Sequence, residues 1–311
     1  MLLIEQGMLH TMTGAAPMCA DMLIDQGKIM EIAPKLEKPA QVEVLDARGL
    51  HVWPGLMDAH THLGLTEENP ETADPADIAF AQAAAAGVTM VEVCPAPTVR
   101  TPRTCTLWRT GRIPERLPQP GALACPVGGM EEQTLRQTMQ EAAAQGRRVK
   151  LLACEEKELA LALTLAREIG GKVVLEHRAP TTALMAKIAA SGLPVVISVA
   201  RNRGETSVYS LAAQLLQQGV RVALSTDHPT ARIHHLPLCA GLCLRYGVRE
   251  EEAMATVTSN AALAMGLEQE CGRIVPGGQA DLTLLDGSPL RLATAVRYTL
   301  SGGRVIYRQE K

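Results

Sequence analysis

Two histidines stand one residue apart in "WPGLMDAHTHLGL", residues 53–65, directly after an apolar run. Side chains two apart on a β-strand point to the same face, so His60 and His62 can aim at one ion. Further along, "VVLEH" ends in Glu176-His177, and "STDHPT" supplies Asp227 and His228. Imidazole nitrogen and carboxylate oxygen together suit a borderline cation such as Zn²⁺. A lone histidine at a strand end is ordinarily just a hydrogen-bonded polar residue. Three strand ends carrying His, His, His and Asp are much harder to obtain by chance, and they point to a metal site.

Convergence requires elements that bring those ends together. The middle of the chain alternates apolar strand runs with amphipathic helical patterns. The runs are 51–60, 87–95, 103–110, 121–127, 147–154, 171–177, 193–200 and 220–227. Helical patterns cover 74–86, 130–145, 155–169, 181–191 and 207–218, and two more follow at 236–246 and 249–265. Continuous apolar strands between such helices predict parallel strands buried on both faces. Eight units fit an α/β (β/α)₈ TIM-like barrel whose chemistry sits at the strand C-terminal ends. The third run is the weakest, and without it an open doubly wound sheet is the alternative. The first fifty residues and the C-terminal segments "GRIVPGGQADLTLLDG" and "AVRYTLSGGRVIYR" alternate apolar and polar positions, as half-exposed antiparallel strands do. Residues 1–50 plus 271–311 are therefore expected to form one small β-sandwich domain, around a barrel of 51–270.

Composition narrows the function. With 47% apolar and 20% charged residues, the chain reads as an ordinary soluble globular protein. A formal charge of −3 gives no reason to expect nucleic acid or an acidic membrane as partner. No apolar run reaches the ~18 residues of a membrane span, and the N-terminus lacks a signal-peptide pattern, so a cytoplasmic location is expected. Eight cysteines without a CxxC pair do not suggest a disulfide framework, and reduced, buried thiols are expected. A single Phe, two Trp and four Tyr argue against a pocket built on ring stacking.

The segments "PGLMDAHTHLGL", "AAAAGVTMVEV", "VVLEH", "LSTDHP" and "TSNAALAMGLEQECGRIVPGGQADLTLLDG" resemble the amidohydrolase superfamily, and within it imidazolonepropionase-related hydrolases. The resemblance covers nearly the whole chain. It implies a TIM-like barrel, a split β-sandwich, and metal-activated water attacking a C–N bond. It also implies His60 and His62 as first-strand ligands, His177 as the sixth-strand histidine, and Asp227 as the eighth-strand aspartate that binds metal and handles the proton of the attacking water. The same pattern calls for a fifth-strand histidine or a carboxylated lysine on strand four. Strand five instead reads "VKLLACEEKE", and strand four, "ALACPVGG", has no lysine. Cys154, or else Cys94, is the candidate replacement, because thiolate is a good Zn²⁺ ligand. Each of these cysteines also reads as a small buried hydrophobe. "EEKE" reads as the acidic first turn of a helix.

Arginines gather in the expected βα loops: Arg100, Arg103, Arg109, Arg112, Arg178, Arg201 and Arg203. Guanidinium grips carboxylate in a bidentate way, so "ARNRG" nominates Arg201 and Arg203, with His228, as substrate-binding residues. His234-His235 reads as an exposed loop pair, and Trp53 as packing. The expectation is a hydrolase of a non-peptide C–N bond, such as a cyclic amide, in a small carboxylate-bearing substrate. It would use one divalent metal ion, Zn²⁺ by preference, with Asp227 as base and His177 polarising the carbonyl. The alternatives are a dihydroorotase-like or deacetylase-like enzyme, or a catalytically silent binding or scaffold protein on the same fold. A homo-oligomer is left open.

Overall fold

The computed structural model describes residues 1–95, 101–177, 182–199 and 207–309, with His177, Thr182 and Ala183 placed by backbone alone. Two sheets organise the chain. The first contains β1 (Leu2–Leu9), β2 (Met18–Asp25), β3 (Lys28–Ala33), β4 (Glu43–Asp46) and β5 (His51–Pro54). The C-terminal β14 (Leu282–Leu285), β15 (Val296–Ser301) and β16 (Arg304–Arg308) complete it. Strands from both ends of the sequence lie in one mixed sheet, which branches at β1. There, β4 and β5 pair in parallel along one edge and β2 pairs antiparallel along the other. β1 is therefore a central strand with Leu3, Ile4 and Leu9 fully buried, rather than a half-exposed antiparallel one.

The second sheet is ordered β13-β12-β11-β10-β9-β8-β7-β6. Its strands are β6 (Leu56–Thr61), β7 (Val88–Val93), β8 (Arg103–Arg109), β9 (Glu115–Pro126), β10 (Arg148–Ala153), β11 (Lys172–His177), β12 (Val195–Ser198) and β13 (Val222–Ser225). The apolar run 51–60 is thus divided between the two sheets. Gly55 marks the break, where a Cβ would lie 2.2 Å from Thr89 Oγ1.

Eight strands are present, as expected for the barrel, but not eight βα repeats. β8 runs antiparallel to both β7 and β9. The connection 110–114 is too short for a parallel crossover, which needs a dozen or more residues. From β9 onward the pairing is parallel. The helices there are α2 (Glu132–Ala144), α3 (Glu156–Ile169), α4 (Thr182–Ser191) and α5 (Val208–Gln217); α1 (Ala79–Ala85) precedes β7. Val149, Leu151 and Ala153 of β10 share one cluster with Leu135 and Leu159 of the helices, so Lys150 and Leu152 take the opposite, inner face. After β13 come α6 (Leu236–Leu242), α7 (Glu250–Ala255) and α8 (Ser259–Met265), and Ala261 and Met265 of α8 pack under Met57, Met90 and Val196.

Polar bonds join the two sheets. Asp281 Oδ1 accepts from Arg109 Nη1 at 2.5 Å and from the Gly302 N–H at 2.7 Å, while the Thr283 and Thr299 hydroxyls donate to Gly87 and Ala84 carbonyls. No helix among the described residues is long and apolar enough to cross a membrane.

Candidate metal centre

The seam between β6 and β13 is closed by side chains and sets the geometry above it. The Asp58 carboxylate accepts the Thr226 hydroxyl at 2.6 Å, the Thr226 N–H at 3.1 Å and the His60 N–H at 3.2 Å. Burial pushes the Asp58 carboxyl up, against the pull of these bonds. The Ser225 hydroxyl donates to the His60 carbonyl at 2.5 Å and accepts the Asp227 N–H at 3.1 Å. The His62 N–H donates to the His228 carbonyl at 2.8 Å. Asp227 itself has φ +52°, a left-handed conformation that aspartate tolerates better than most residues. Such geometry at a buried acid is a common mark of a functional position.

His60, His62 and Asp227 each offer one ligand atom, and these lie within 4.8 Å of one another. His60 Nε2 is 3.6 Å and His62 Nε2 3.2 Å from Asp227 Oδ1. The other nitrogen of each ring is engaged. His62 Nδ1 lies 2.6 Å from the Cys94 carbonyl, which can only accept, so Nδ1 carries the proton and Nε2 keeps its lone pair. His60 Nδ1 lies 2.7 Å from Glu176 Oε2, close but off the ideal hydrogen-bond direction. An acceptor behind each imidazole is how metal-binding histidines are usually oriented. Two imidazole nitrogens and one carboxylate oxygen thus converge, and this donor set fits a divalent ion of the Zn²⁺ type. His60 and Asp227 are 2% and 1% exposed, and His62, less buried, forms the more open edge of the group.

Beneath the group lies a charged layer that sequence reasoning missed. Lys150 is fully buried, and its ammonium donates to Glu92 Oε2 and to the Ala59 carbonyl, both at 2.6 Å. Glu92 Oε1 accepts from Arg148 Nη2 at 2.7 Å and from the Ala122 N–H at 2.8 Å. Burial pushes the Glu92 carboxyl up, but the Lys150 and Arg148 charges outweigh it and bring it down to about 2. Burial likewise works against the Glu176 carboxylate, and the His60 imidazole and Lys150 ammonium hold it below its ordinary range.

A family model described as "Amidohydrolase family" matches residues 106–307. The chain belongs to the amidohydrolase family. An imidazolonepropionase from Alkaliphilus oremlandii is 31% identical over 173 residues, 53% of this chain and 40% of that protein. The chain spans less than half the length of the curated relatives it matches. An amidohydrolase structure from Thermotoga maritima superposes with TM-score 0.83 at 22% identity, covering 99% of this chain and 100% of the other. Atrazine chlorohydrolase TrzN from Arthrobacter aurescens, complexed with zinc, superposes with TM-score 0.70 at 15% identity, covering 99% and 94%.

Among the residues nominated for this amidohydrolase's site, His60, His62 and Asp227 are brought together. His177 ends β11, its backbone paired with Ala153, and its side chain lies outside the described part, as do Arg100, Arg178, Arg201 and Arg203. His228 Nδ1 accepts the Ile233 N–H at 3.2 Å, and burial pushes its pKa down. Cys154 is exposed beyond the end of β10 and is not one of the three convergent residues; its N–H donates to Glu158 at 2.6 Å. Glu155 caps α3 there, with Glu156 and Glu158 in the first turn, so "EEKE" is a helix start.

Cys94 does not replace a ligand, because its sulfur is bonded to Cys105. This disulfide, between the end of β7 and the adjacent antiparallel β8, also corrects the expectation of reduced thiols throughout. Two of the loop arginines are structural, Arg103 pairing with Glu71 and Arg109 with Asp281. His234 and His235 form an exposed pair, and Trp53 is buried beneath the His10 ring, 3.8 Å between centroids.

Proposed function

We propose that the chain hydrolyses a non-peptide C–N bond, such as that of a cyclic amide, in a small carboxylate-bearing molecule. One divalent metal ion, Zn²⁺ by preference, is held by His60, His62 and Asp227. The observation that carries this reading is the convergence of two histidine Nε2 atoms on Asp227 Oδ1, with each Nδ1 set against an acceptor. When bound, such an ion supplies Lewis acidity and makes water nucleophilic near neutral pH. The chain's own residues do the rest. Asp227 takes the proton of the attacking water at its carboxylate and returns it to the departing nitrogen. His177, from the end of β11, ligates the ion or polarises the scissile carbonyl. Arg201 or Arg203, with His228, grips the substrate carboxylate. Membership of the amidohydrolase family and a relative named imidazolonepropionase favour a C–N bond and a cyclic amide as substrate.

The test combines metal analysis with hydrolysis. Wild-type protein purified without chelator is expected to carry about one equivalent of metal, lost in His60→Ala/His62→Ala. A cyclic-amide panel should give one or more substrates whose turnover disappears in Asp227→Asn. No metal after loading with Zn²⁺ or Mn²⁺ sinks the reading, leaving a ligand-binding protein on this fold. A Cys154→Ala protein with full metal content removes the thiol from the ligand set.

A further inference from the structure

Lys150 is an unusual residue to bury completely, because desolvating an ammonium is expensive unless charge and hydrogen bonds compensate. The compensation here is directed at the metal group. Besides Glu92, Lys150 donates to the Ala59 carbonyl, immediately before His60, and its nitrogen is 3.9 Å from Glu176 Oε2, the atom that also faces His60 Nδ1. Its neighbour Arg148 holds the other Glu92 oxygen. Among the described residues the inner layer therefore sets four carboxylates, Asp58, Glu92, Glu176 and Asp227, against the two cations Lys150 and Arg148. The balance is two negative charges, which one divalent ion neutralises. A second divalent ion would leave two buried positive charges in excess, a costly state in a buried layer.

We infer that Lys150 is a built-in cation: it occupies the charge place of a second metal ion, so that the site takes one divalent ion and holds it with moderated affinity. The inference rests on the metal reading above. Lys150 is a positioning residue, since it touches Ala59 and Glu176 and none of the three ligand atoms. An ammonium paired with Glu92 at 2.6 Å also fits this role better than a carboxylated lysine, which would set one negative group against another.

The test measures metal rather than turnover. Wild type, Lys150→Met, Glu92→Gln and Lys150→Met/Glu92→Gln are loaded with Zn²⁺ and desalted. Metal content is then measured by mass spectrometry, and affinity by competition with a chromophoric chelator. Wild type should retain one equivalent. Lys150→Met should retain a second, or bind the first at least about tenfold more tightly, because a unit charge a few ångströms away is removed. Glu92→Gln should weaken Zn²⁺ by at least about tenfold, and the double variant, which removes both charges, should return close to wild type. Unchanged stoichiometry and affinity in folded Lys150→Met overturns the inference while leaving the metal reading intact. If that variant does not fold, unchanged affinity in Glu92→Gln overturns it equally. Absence of metal in wild type removes both readings.

Discussion

Asp58 and Thr226 lock the two ends of the barrel sheet together: one carboxylate oxygen takes both the hydroxyl, at 2.6 Å, and the backbone N–H, at 3.1 Å, of the threonine across the seam. The bond lies one residue before Asp227 on one side and two before His60 on the other, so the seam and the metal group are one construction. Asp58→Ala takes the side-chain acceptor from three buried donors, the Thr226 hydroxyl, the Thr226 N–H and the His60 N–H. The expected loss is about 2–4 kcal/mol of folding stability, read from urea unfolding. Zn²⁺ affinity should fall with it, because His60 and Asp227 lose their common anchor. A stable Asp58→Ala protein with wild-type Zn²⁺ affinity would show that the ladder through β7 to β12 positions the ligands unaided.

Much of this arrangement was legible in the chain. The period-2 spacing of His60 and His62 and the apolar run ending in Asp227-His228 marked the strand ends at which His60, His62 and Asp227 converge. What escaped was the inner layer. Lys150 lies in "RRVKLLAC", an apolar strand run in which no neighbour in sequence marks the single lysine as paired and buried. Its signal was parity: if 149, 151 and 153 face the helices, 150 must face the barrel interior, and a buried ammonium then requires an acid such as the one in "VEVC". The third strand misled for a related reason. "RTCTLWRT" alternates as a hairpin strand does, and the few residues before Glu115 could never have held a crossover helix. Nothing local could reveal the Cys94–Cys105 pairing, because it depends on that antiparallel turn.

Glu92 gives the fold a specific acid sensitivity. Its folded pKa of about 2 lies below the ordinary 4.5, so the folded state favours the carboxylate. The resulting stability is fully present above pH about 4.5 and is lost as pH falls through the folded value, an effect on the order of 3 kcal/mol. Urea midpoints taken from pH 6 down to pH 3.5 should decline in wild type. Glu92→Gln, although less stable at neutral pH with Lys150 and Arg148 left unpaired, should decline less steeply over that range. Parallel curves would assign the acid sensitivity to other carboxylates.

Glu176 should tune the metal through His60. Truncating the acceptor behind a ligating imidazole typically lowers affinity by about 10–100-fold. Glu176→Ala is expected in that range by chelator competition, with Glu176→Gln recovering part of the loss because its amide oxygen can still accept from Nδ1. An Ala variant with undiminished affinity would mean that His60 is oriented by its backbone bonds to Asp58 and Ser225 alone.

Gly121 is the residue that lets β9 pass the charged layer. A Cβ at this position would sit 2.8 Å from the Cys105 carbonyl carbon and oxygen and 2.9 Å from Glu92 Oε1. The first two are backbone atoms of the adjacent strand and cannot swing aside, so β9 must move outward or Glu92 must shift off the Ala122 N–H. Overpacking of this kind costs about 1–3 kcal/mol, and Gly121→Ala is expected to lose that much in urea unfolding. Because the displaced group is the partner of Lys150, the same substitution should also change Zn²⁺ affinity, although residue 121 is not among the ligands. Loss of stability with unchanged affinity would confine the defect to the β8–β9 hairpin. A change in both would place β9, and the antiparallel insertion it belongs to, among the elements that set the charge beneath the metal group.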